Sequence, residues 1–177
     1  LLDWAETFAQ WMWEEGYELF NPDVYSIATQ YDIEYAHSKE LVCEFNKSEA
    51  MTRLPALRDS VEYIEKLNEL GYSFHVITSQ TDDEAGKMFR SFNLLNTFGK
   101  VFAEFEILSC GADKDDALEP YKNSGCVWVE DKPENADLGA KLGLNTFLMS
   151  AKHNEDYLHE QVTVVNSWKE IYDSVAA

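Results

Sequence analysis

Apolar side chains recur every three or four positions near the start of the chain, which is the spacing of one helix face. Trp4 and Phe8 follow this spacing. Asp3 stands just before the pattern and Glu6 follows three residues later, which is typical of a capping box at a helix start. Gly16 predicts the end of this helix, because glycine readily adopts the left-handed conformation that terminates helices.

Two more helices are predicted before residue 55. Asn21-Pro22 predicts the start of a short helix, because proline is favoured at the first helical position. Residues 34–47 predict a third helix. No segment here alternates between apolar and polar residues as a half-buried strand does. Residues 1–55 are therefore predicted to form a small helical domain.

After Leu54-Pro55 the pattern changes to strands that alternate with helices. The predicted strands are residues 72–78, 101–105, 126–129, 145–149 and 162–165. The predicted helices are residues 57–70, 82–93, 114–122, 133–142 and 167–175. This alternation indicates βαβ units and a parallel sheet. The predicted fold class is α/β, a Rossmann-like doubly wound parallel sheet at residues 56–177 with a small helical cap.

The composition supports a folded protein and limits its partners. Of the 177 residues, 45% are hydrophobic and 14% are aromatic, which is enough to build a core. The net charge of −19 argues against binding to a nucleic acid polymer or an anionic membrane, because such binding needs clustered Lys and Arg. A small phosphorylated ligand needs only local positive charge and stays compatible with this balance.

Three cysteines, Cys43, Cys110 and Cys126, are far apart and include no Cys-x-x-Cys pair. Their odd number and wide spacing argue against a disulfide framework and against a structural zinc site. We expect reduced thiols and a cytoplasmic location. No apolar run approaches the ~20 residues of a membrane-spanning helix, so no membrane association is expected.

The residues that follow the predicted strands carry the candidate chemistry, since ligands of a doubly wound sheet bind beyond the carboxyl ends of its strands. These residues are Thr78, Ser79, Gln80, Lys114, Glu130 and Asp131. Hydroxyls and helix N-terminal amides bind phosphoryl oxygens, a lysine neutralises their charge, and carboxylates bind Mg²⁺. The set predicts a site for a phosphate and a divalent cation.

Three segments resemble, in the same order, motifs of the haloacid dehalogenase-like phosphohydrolase superfamily. The segments are HVITSQ (75–80), GADKDDAL (111–118) and VWVEDKPENADLGAKLGLNTFLM (127–149). Ser79 matches the second motif of the superfamily, Lys114 the third, and the acidic pair Glu130-Asp131 the fourth. The resemblance covers about residues 54–177 and implies that the helical domain before them is a cap.

The resemblance implies Mg²⁺-dependent hydrolysis of a phosphomonoester through an aspartyl-phosphate intermediate. Ser79 and Lys114 would hold the phosphoryl oxygens, and Asp131 would bind Mg²⁺. Glu130 would be a second metal ligand or would act through a water. Asn135 stands where some family members have another acid, and its role is left open.

The helical cap resembles that of the 5′-nucleotidase and deoxyribonucleotidase branch, and also that of phosphoglycolate phosphatase-like enzymes. The first resemblance implies a nucleoside monophosphate as the small phosphorylated substrate. Trp4 and Phe8 could stack on a nucleobase, although their helical spacing is more often that of core residues. We expect a monomer or a homodimer. The expected substrate contacts are Thr78, Ser79, Gln80, Lys114, Trp4 and Phe8.

The superfamily's first motif, Asp-x-Asp at the end of a strand, has no counterpart among these segments. The resemblance places that strand at the centre of the sheet, between the strands that end at Thr78 and Val129. Its two acids would be the nucleophile and the general acid/base. Without it both neighbouring strands would lack a ladder partner. We therefore expect about ten further residues before Leu1, enough for one strand and its turn.

Two other functions fit part of the pattern. A catalytically inactive relative could keep the fold and bind a phospho-ligand or a protein partner, and the missing first motif favours this interpretation. A phosphoacceptor signalling domain has acidic, Lys and Ser positions on the same kind of sheet. The helical segment at residues 4–55 argues against the signalling domain, because such a domain begins with its acid-bearing strand.

Overall fold

The computed structural model describes residues 1–176. The helices are α1 (Trp4–Glu14), α2 (Ile27–Tyr31), α3 (Tyr35–Lys47), α4 (Ser60–Glu69), α5 (Glu84–Phe98), α6 (Asp115–Leu118), α7 (Pro133–Lys141) and α8 (Trp168–Val175). The strands are β1 (Phe74–Ser79), β2 (Phe102–Leu108), β3 (Val127–Glu130), β4 (Asn145–Met149) and β5 (Val162–Val165). Residues 1–112 form one compact unit, and the residues from Asp113 onward form a second.

The first and third predicted helices are confirmed. The Asp3 side chain accepts a hydrogen bond from the Glu6 main-chain N–H at 3.1 Å and caps α1. This bond satisfies one of the N–H groups that a helix start leaves without an intrahelical partner. α3 follows Glu34 at its N-cap and ends at Lys47, within one residue of the predicted range.

The predicted helix start at Asn21-Pro22 is wrong. α2 begins at Ile27, where the Ser26 side chain accepts from the Thr29 main-chain N–H at 3.4 Å. The Asn21 main-chain N–H donates to the Gln30 carbonyl at 3.1 Å, so this segment turns back towards α2 instead of entering a helix. Proline is common both at helix starts and in turns, and the local sequence does not separate the two.

Aromatic rings form the core of the helical part. Phe8 and Phe45 are 1% and 0% exposed, and their rings meet edge to face with centroids 5.2 Å apart. The Trp4 ring stacks on Phe8 at 4.4 Å. Tyr31 approaches Phe8 from another side, edge to face at 6.1 Å. Such ring pairs stabilise beyond the area they bury, so the helical spacing of these aromatics serves packing first.

Main-chain contacts join the two ends of the helical part. The Asp3 N–H donates to the Pro55 carbonyl at 2.8 Å. Beside this bond, Leu2 and Ala56 form an antiparallel bridge. The chain therefore enters and leaves the helical part at one place. The predicted domain boundary at residue 55 falls there, and it stays a prediction, since the compact unit extends to residue 112.

The predicted α/β class and the parallel strand pairing are confirmed, with the strands in two sheets. In the first unit β1 and β2 pair in parallel. In the second unit the order is β3-β4-β5, all parallel, with α7 packed against β3 and β4. Within residues 1–176, β1 pairs with β2 alone and β3 with β4 alone. The central strand expected to fill these edges stays a prediction.

Small residues bring α7 close to the second sheet. The buried residues of this contact are Ala136, Ala140, Leu148 and Val162. At Gly139 an added Cβ would lie 2.4 Å from Trp128 Cδ1 and 2.8 Å from Thr146 Oγ1. Glycine is required here because real Cβ contacts are never this short. The helix thus holds the Trp128 ring in place on β3.

Cys43 and Cys110 form a disulfide within the first unit, with their Cα atoms 6.0 Å apart. The expectation of reduced cysteines is wrong for these two residues, whereas Cys126 is free and exposed. No local sequence pattern indicates this pairing, because 67 positions separate the two thiols. A reciprocal amide pair ties the same region together: Asn46 Nδ2 donates to the Gln80 carbonyl at 3.1 Å, and Gln80 Nε2 donates to the Asn46 carbonyl at 2.9 Å.

The disulfide also bears on the predicted location. Disulfides persist mainly in oxidising compartments, so the prediction of a cytoplasmic protein loses the support of reduced thiols and stays untested. Within residues 1–176 there is no helix with the length and apolarity that a membrane crossing requires.

Replacement of Cys43 by serine should lower the free energy of unfolding by about 4 kcal/mol, because the disulfide restricts the unfolded chain through a loop of 67 positions. Urea denaturation under non-reducing conditions measures this loss. Cys126→Ser is the matched control, expected to change stability by no more than about 0.5 kcal/mol because its thiol is free and exposed. Equal midpoints for the two variants would contradict the disulfide.

Candidate active site

β1 carries Thr78 and Ser79 to the edge at which the strand ends, where both are half-buried. The Ser79 hydroxyl donates to the Ala112 carbonyl at 2.6 Å. The Gln80 main-chain N–H donates to the Leu108 carbonyl at 2.9 Å, which continues the pairing with β2 past the strand end. A hydroxyl hydrogen rotates to suit its acceptor, so Ser79 can exchange this carbonyl for a phosphoryl oxygen.

The other predicted substrate contacts in this unit differ in how deeply they are buried. Gln80 is 2% exposed, and its Nε2 donates to the carbonyls of Asn46 and Gly86. Phe8 is 1% exposed. Neither side chain has surface to offer a ligand, so we leave both out of the proposed site. Trp4 remains half-buried, with its Nε1 donating to Asn46 Oδ1 at 2.9 Å.

Lys114 and Glu130 form a buried ion pair in the second unit. Their side chains are 12% and 6% exposed. Lys114 directly precedes α6, and its ammonium also lies 5.4 Å from the centroid of the Trp128 ring. Trp128 is held in turn by a hydrogen bond from its Nε1 to the Asn135 carbonyl at 3.1 Å. The lysine is therefore fixed by a carboxylate and by an aromatic face.

Four donors surround the Glu130 carboxylate. Oε1 accepts from Lys114 Nζ and from Asn135 Nδ2, the latter at 3.0 Å. Oε2 accepts from the main-chain N–H groups of Asp131 and Lys132 at 3.0 and 3.4 Å. Burial alone would raise the pKa of Glu130, but the Lys114 ammonium and these amides outweigh it, and the pKa lies below its ordinary value. Glu130 is thus ionised, and both of its oxygens are occupied by protein donors.

Asp131, next in the chain, keeps part of its surface exposed. Desolvation raises the pKa of Asp131, and the neighbouring Glu130 carboxylate raises it further. The Asp131 carbonyl accepts from Asn154 Nδ2 at 2.8 Å and lies 3.0 Å from His153 Nε2. A cation at the Asp131 carboxylate would relieve the repulsion between the two adjacent acids.

Of the two adjacent acids, only Asp131 is available to bind Mg²⁺. Mg²⁺ commonly binds one or two carboxylates and fills its remaining positions with waters and substrate phosphates. Asp131 supplies one such carboxylate, while Glu130 is engaged by Lys114. Among residues 1–176 no three His, Cys, Asp or Glu side chains come together as a ready metal site.

The structure brings Lys114, Glu130 and Asp131 together in the second unit, whereas Thr78 and Ser79 belong to the first. Three further residues of the site were not predicted from the sequence, namely Trp128, His153 and Asn154, and the role of Asn135 was left open. The rule that ligand-binding residues follow strand ends could have found the pair after β4, because His153 and Asn154 lie in the loop that follows it. Trp128 carried no polar signal.

A comparison with protein families matches residues 3–110 to the model of the haloacid dehalogenase-like hydrolases. The chain therefore belongs to the haloacid dehalogenase-like hydrolase family, which confirms the resemblance seen in its motifs. The match includes the helical part and the end of β1, and stops before Lys114. No curated protein matches the chain. The nucleotidase branch thus stays a prediction.

Replacement of Lys114 by methionine should lower the free energy of unfolding at pH 7 by about 3 kcal/mol, because it leaves the Glu130 carboxylate buried without its cation. The loss should shrink in acid. Because the pKa of Glu130 is lowered on folding, its stabilising effect is full above the ordinary Glu pKa and disappears as the pH falls through the lowered value. Urea denaturation of both proteins across this range measures the difference.

The matched control is Lys122→Met. Lys122 pairs with Glu119 at 2.8 Å in the same unit, but the two side chains are 50% and 58% exposed. An exposed pair contributes about 0.5 kcal/mol or less. Equal losses of stability for the two lysine variants would contradict the buried ion pair.

Proposed function

We propose that this hydrolase is a Mg²⁺-dependent phosphatase that acts on a small phosphorylated metabolite. The observation that carries the proposal is the arrangement at the end of β3, where Glu130 pairs with the Lys114 ammonium and Asp131 follows directly in the chain, its N–H bonded to the same Glu130 carboxylate. A fixed cation and an acid at one strand end suit a phosphate and its metal ion. Family membership supports the same class of reaction.

Each of the described residues has a proposed role. Lys114 would hold a phosphoryl oxygen, and its pairing with Glu130 keeps the ammonium in position before the substrate arrives. Asp131 would hold Mg²⁺, which when bound offsets the negative charge of the phosphate and of the attacking carboxylate. Asn135 orients Glu130 through its amide.

The nucleophile is assigned to a strand that would pair with the free edge of β3. Family resemblance gives that strand an Asp-x-Asp end, whose first acid would attack phosphorus and whose second would protonate the leaving alcohol. The support from the structure is that β3 pairs with β4 alone within the described chain. A strand in that position would satisfy the main-chain groups of this edge.

A nucleoside monophosphate is the proposed substrate within this class. The support is the resemblance of the helical part to the cap of the 5′-nucleotidase branch.

The second candidate function is binding of a phospho-ligand without turnover. It is favoured by one observation, that no strand of residues 1–176 ends in Asp-x-Asp. Lys114 would bind the phosphate in the same way, but no group would attack it.

Asp131→Asn should reduce Mg²⁺-dependent phosphatase activity of the full-length protein by about 100-fold or more, because it weakens the only exposed acid that we assign to the metal. Hydrolysis of para-nitrophenyl phosphate and of a nucleoside monophosphate panel, with and without Mg²⁺, measures the effect. Circular dichroism checks that the fold survives.

Asp156→Asn, which changes another exposed acid of the same unit, is the matched control and should keep its activity. Full activity in Asp131→Asn would overturn the assignment. Binding of phosphate and Mg²⁺ by a wild-type protein that hydrolyses none of these substrates would favour the second candidate.

A further inference from the structure

Asn154, which lies in the loop after β4, connects the main chain of Asp131 to the end of that strand. Its Nδ2 donates to the Asp131 carbonyl at 2.8 Å and to the Met149 carbonyl at 3.1 Å. Its Oδ1 accepts from the Ala151 N–H at 2.8 Å. Asn154 is 5% exposed. A buried amide is retained at little cost only when it is hydrogen-bonded, and here both of its hydrogens and its oxygen have partners.

The Asp131 carbonyl is oriented from this loop rather than from α7. The first helical hydrogen bonds of α7 reach the Lys132 carbonyl, which accepts from the N–H groups of Asn135 and Ala136. The Asp131 carbonyl receives its hydrogen bond from Asn154, with His153 also close. The loop after β4 therefore holds the carbonyl side of this peptide group, while its N–H side, at Lys132, donates to Glu130 Oε2.

The two peptide groups that flank the Asp131 Cα are both held. On one side the Asp131 N–H donates to Glu130 Oε2 at 3.0 Å. On the other side the Asp131 carbonyl accepts from Asn154. Together these bonds fix the backbone at Asp131 and hence the direction of its Cβ. The exposed carboxylate keeps only its own side-chain torsions to adjust.

We propose that Asn154 is a positioning residue that presents the Asp131 carboxylate to Mg²⁺ and so sets the affinity of the site. This inference rests on the proposed function, because it takes Asp131 as a metal ligand. Groups that orient metal ligands through hydrogen bonds contribute about 10- to 100-fold in metal affinity. Without Asn154 the Asp131 carbonyl would keep only its contact with His153. The peptide group would then be held less firmly, and part of the binding free energy would be lost in fixing it again.

A second asparagine offers a matched comparison. Asn93 is 3% exposed, and its Nδ2 also donates to two main-chain carbonyls, those of Thr52 and Leu54, at 3.0 and 3.1 Å. It belongs to the first unit and has no bond to Asp131. Replacing either asparagine by alanine removes two buried hydrogen bonds to main-chain carbonyls. Only the loss of Asn154 releases a residue assigned to the metal.

The test is a calorimetric titration of the full-length wild-type protein, Asn154→Ala and Asn93→Ala with Mg²⁺ alone. We expect Mg²⁺ affinity to fall about 10- to 100-fold in Asn154→Ala and to stay unchanged in Asn93→Ala. Phosphatase assays should show a matching rise in the Mg²⁺ concentration for half-maximal activity, with kcat restored at saturating Mg²⁺. A merely structural loss would not be recovered in this way.

Asn154→Ser keeps the test available if the alanine variant does not fold. Its hydroxyl can still accept from the Ala151 N–H, but it is too short to reach both carbonyls, so the same fall in affinity is expected. Wild-type affinity in the Asn154 variants, or an equal fall in Asn93→Ala, would overturn the inference while leaving the proposed function in place. Failure of the wild-type protein to bind Mg²⁺ would overturn both.

Discussion

The buried ion pair between Lys114 and Glu130 is the interaction on which the candidate site depends. Removing both charges from water is costly, and the pair persists because other donors share the Glu130 carboxylate. The same bonds set the chemistry of the site. They hold a cation at the end of β3, and they engage Glu130 so that the exposed Asp131 is the acid left for a metal ion. The Glu130 carboxylate thus gives two residues different roles. Lys114 is held as a fixed cation, and Asp131 is left to bind a metal ion.

The pKa values of the adjacent acids Glu130 and Asp131 are shifted in opposite directions by their surroundings. Lys114 and two amides lower the pKa of Glu130 despite its burial, whereas desolvation and the Glu130 charge raise the pKa of Asp131. Titratable neighbours driven in opposite directions are common where proteins bind ligands or catalyse reactions. In this chain both shifts occur at one strand end, where Glu130 is the last residue of β3 and Asp131 follows it.

Local signals predicted those parts of the fold that local interactions decide. Asp3 caps α1 as its sequence indicates, and strand ends carry Ser79, Glu130 and Asp131 to the edges of sheets. The failures were of two kinds. Asn21-Pro22 is compatible both with a helix start and with a turn, and in the folded chain it forms a turn. The Cys43–Cys110 disulfide and the bond from Asn154 to Asp131 join residues distant in sequence, and no pattern in the chain announces such contacts.

The most direct measurement is a crystal structure of the full-length protein with Mg²⁺ and inorganic phosphate. We expect an Asp131 carboxylate oxygen at about 2.1 Å from the metal ion. We also expect a phosphate oxygen within hydrogen-bond distance of Lys114 Nζ, with Glu130 still paired to the lysine. Metal and phosphate bound away from Asp131 and Lys114, or no binding at the end of β3, would show that the proposed site is wrong.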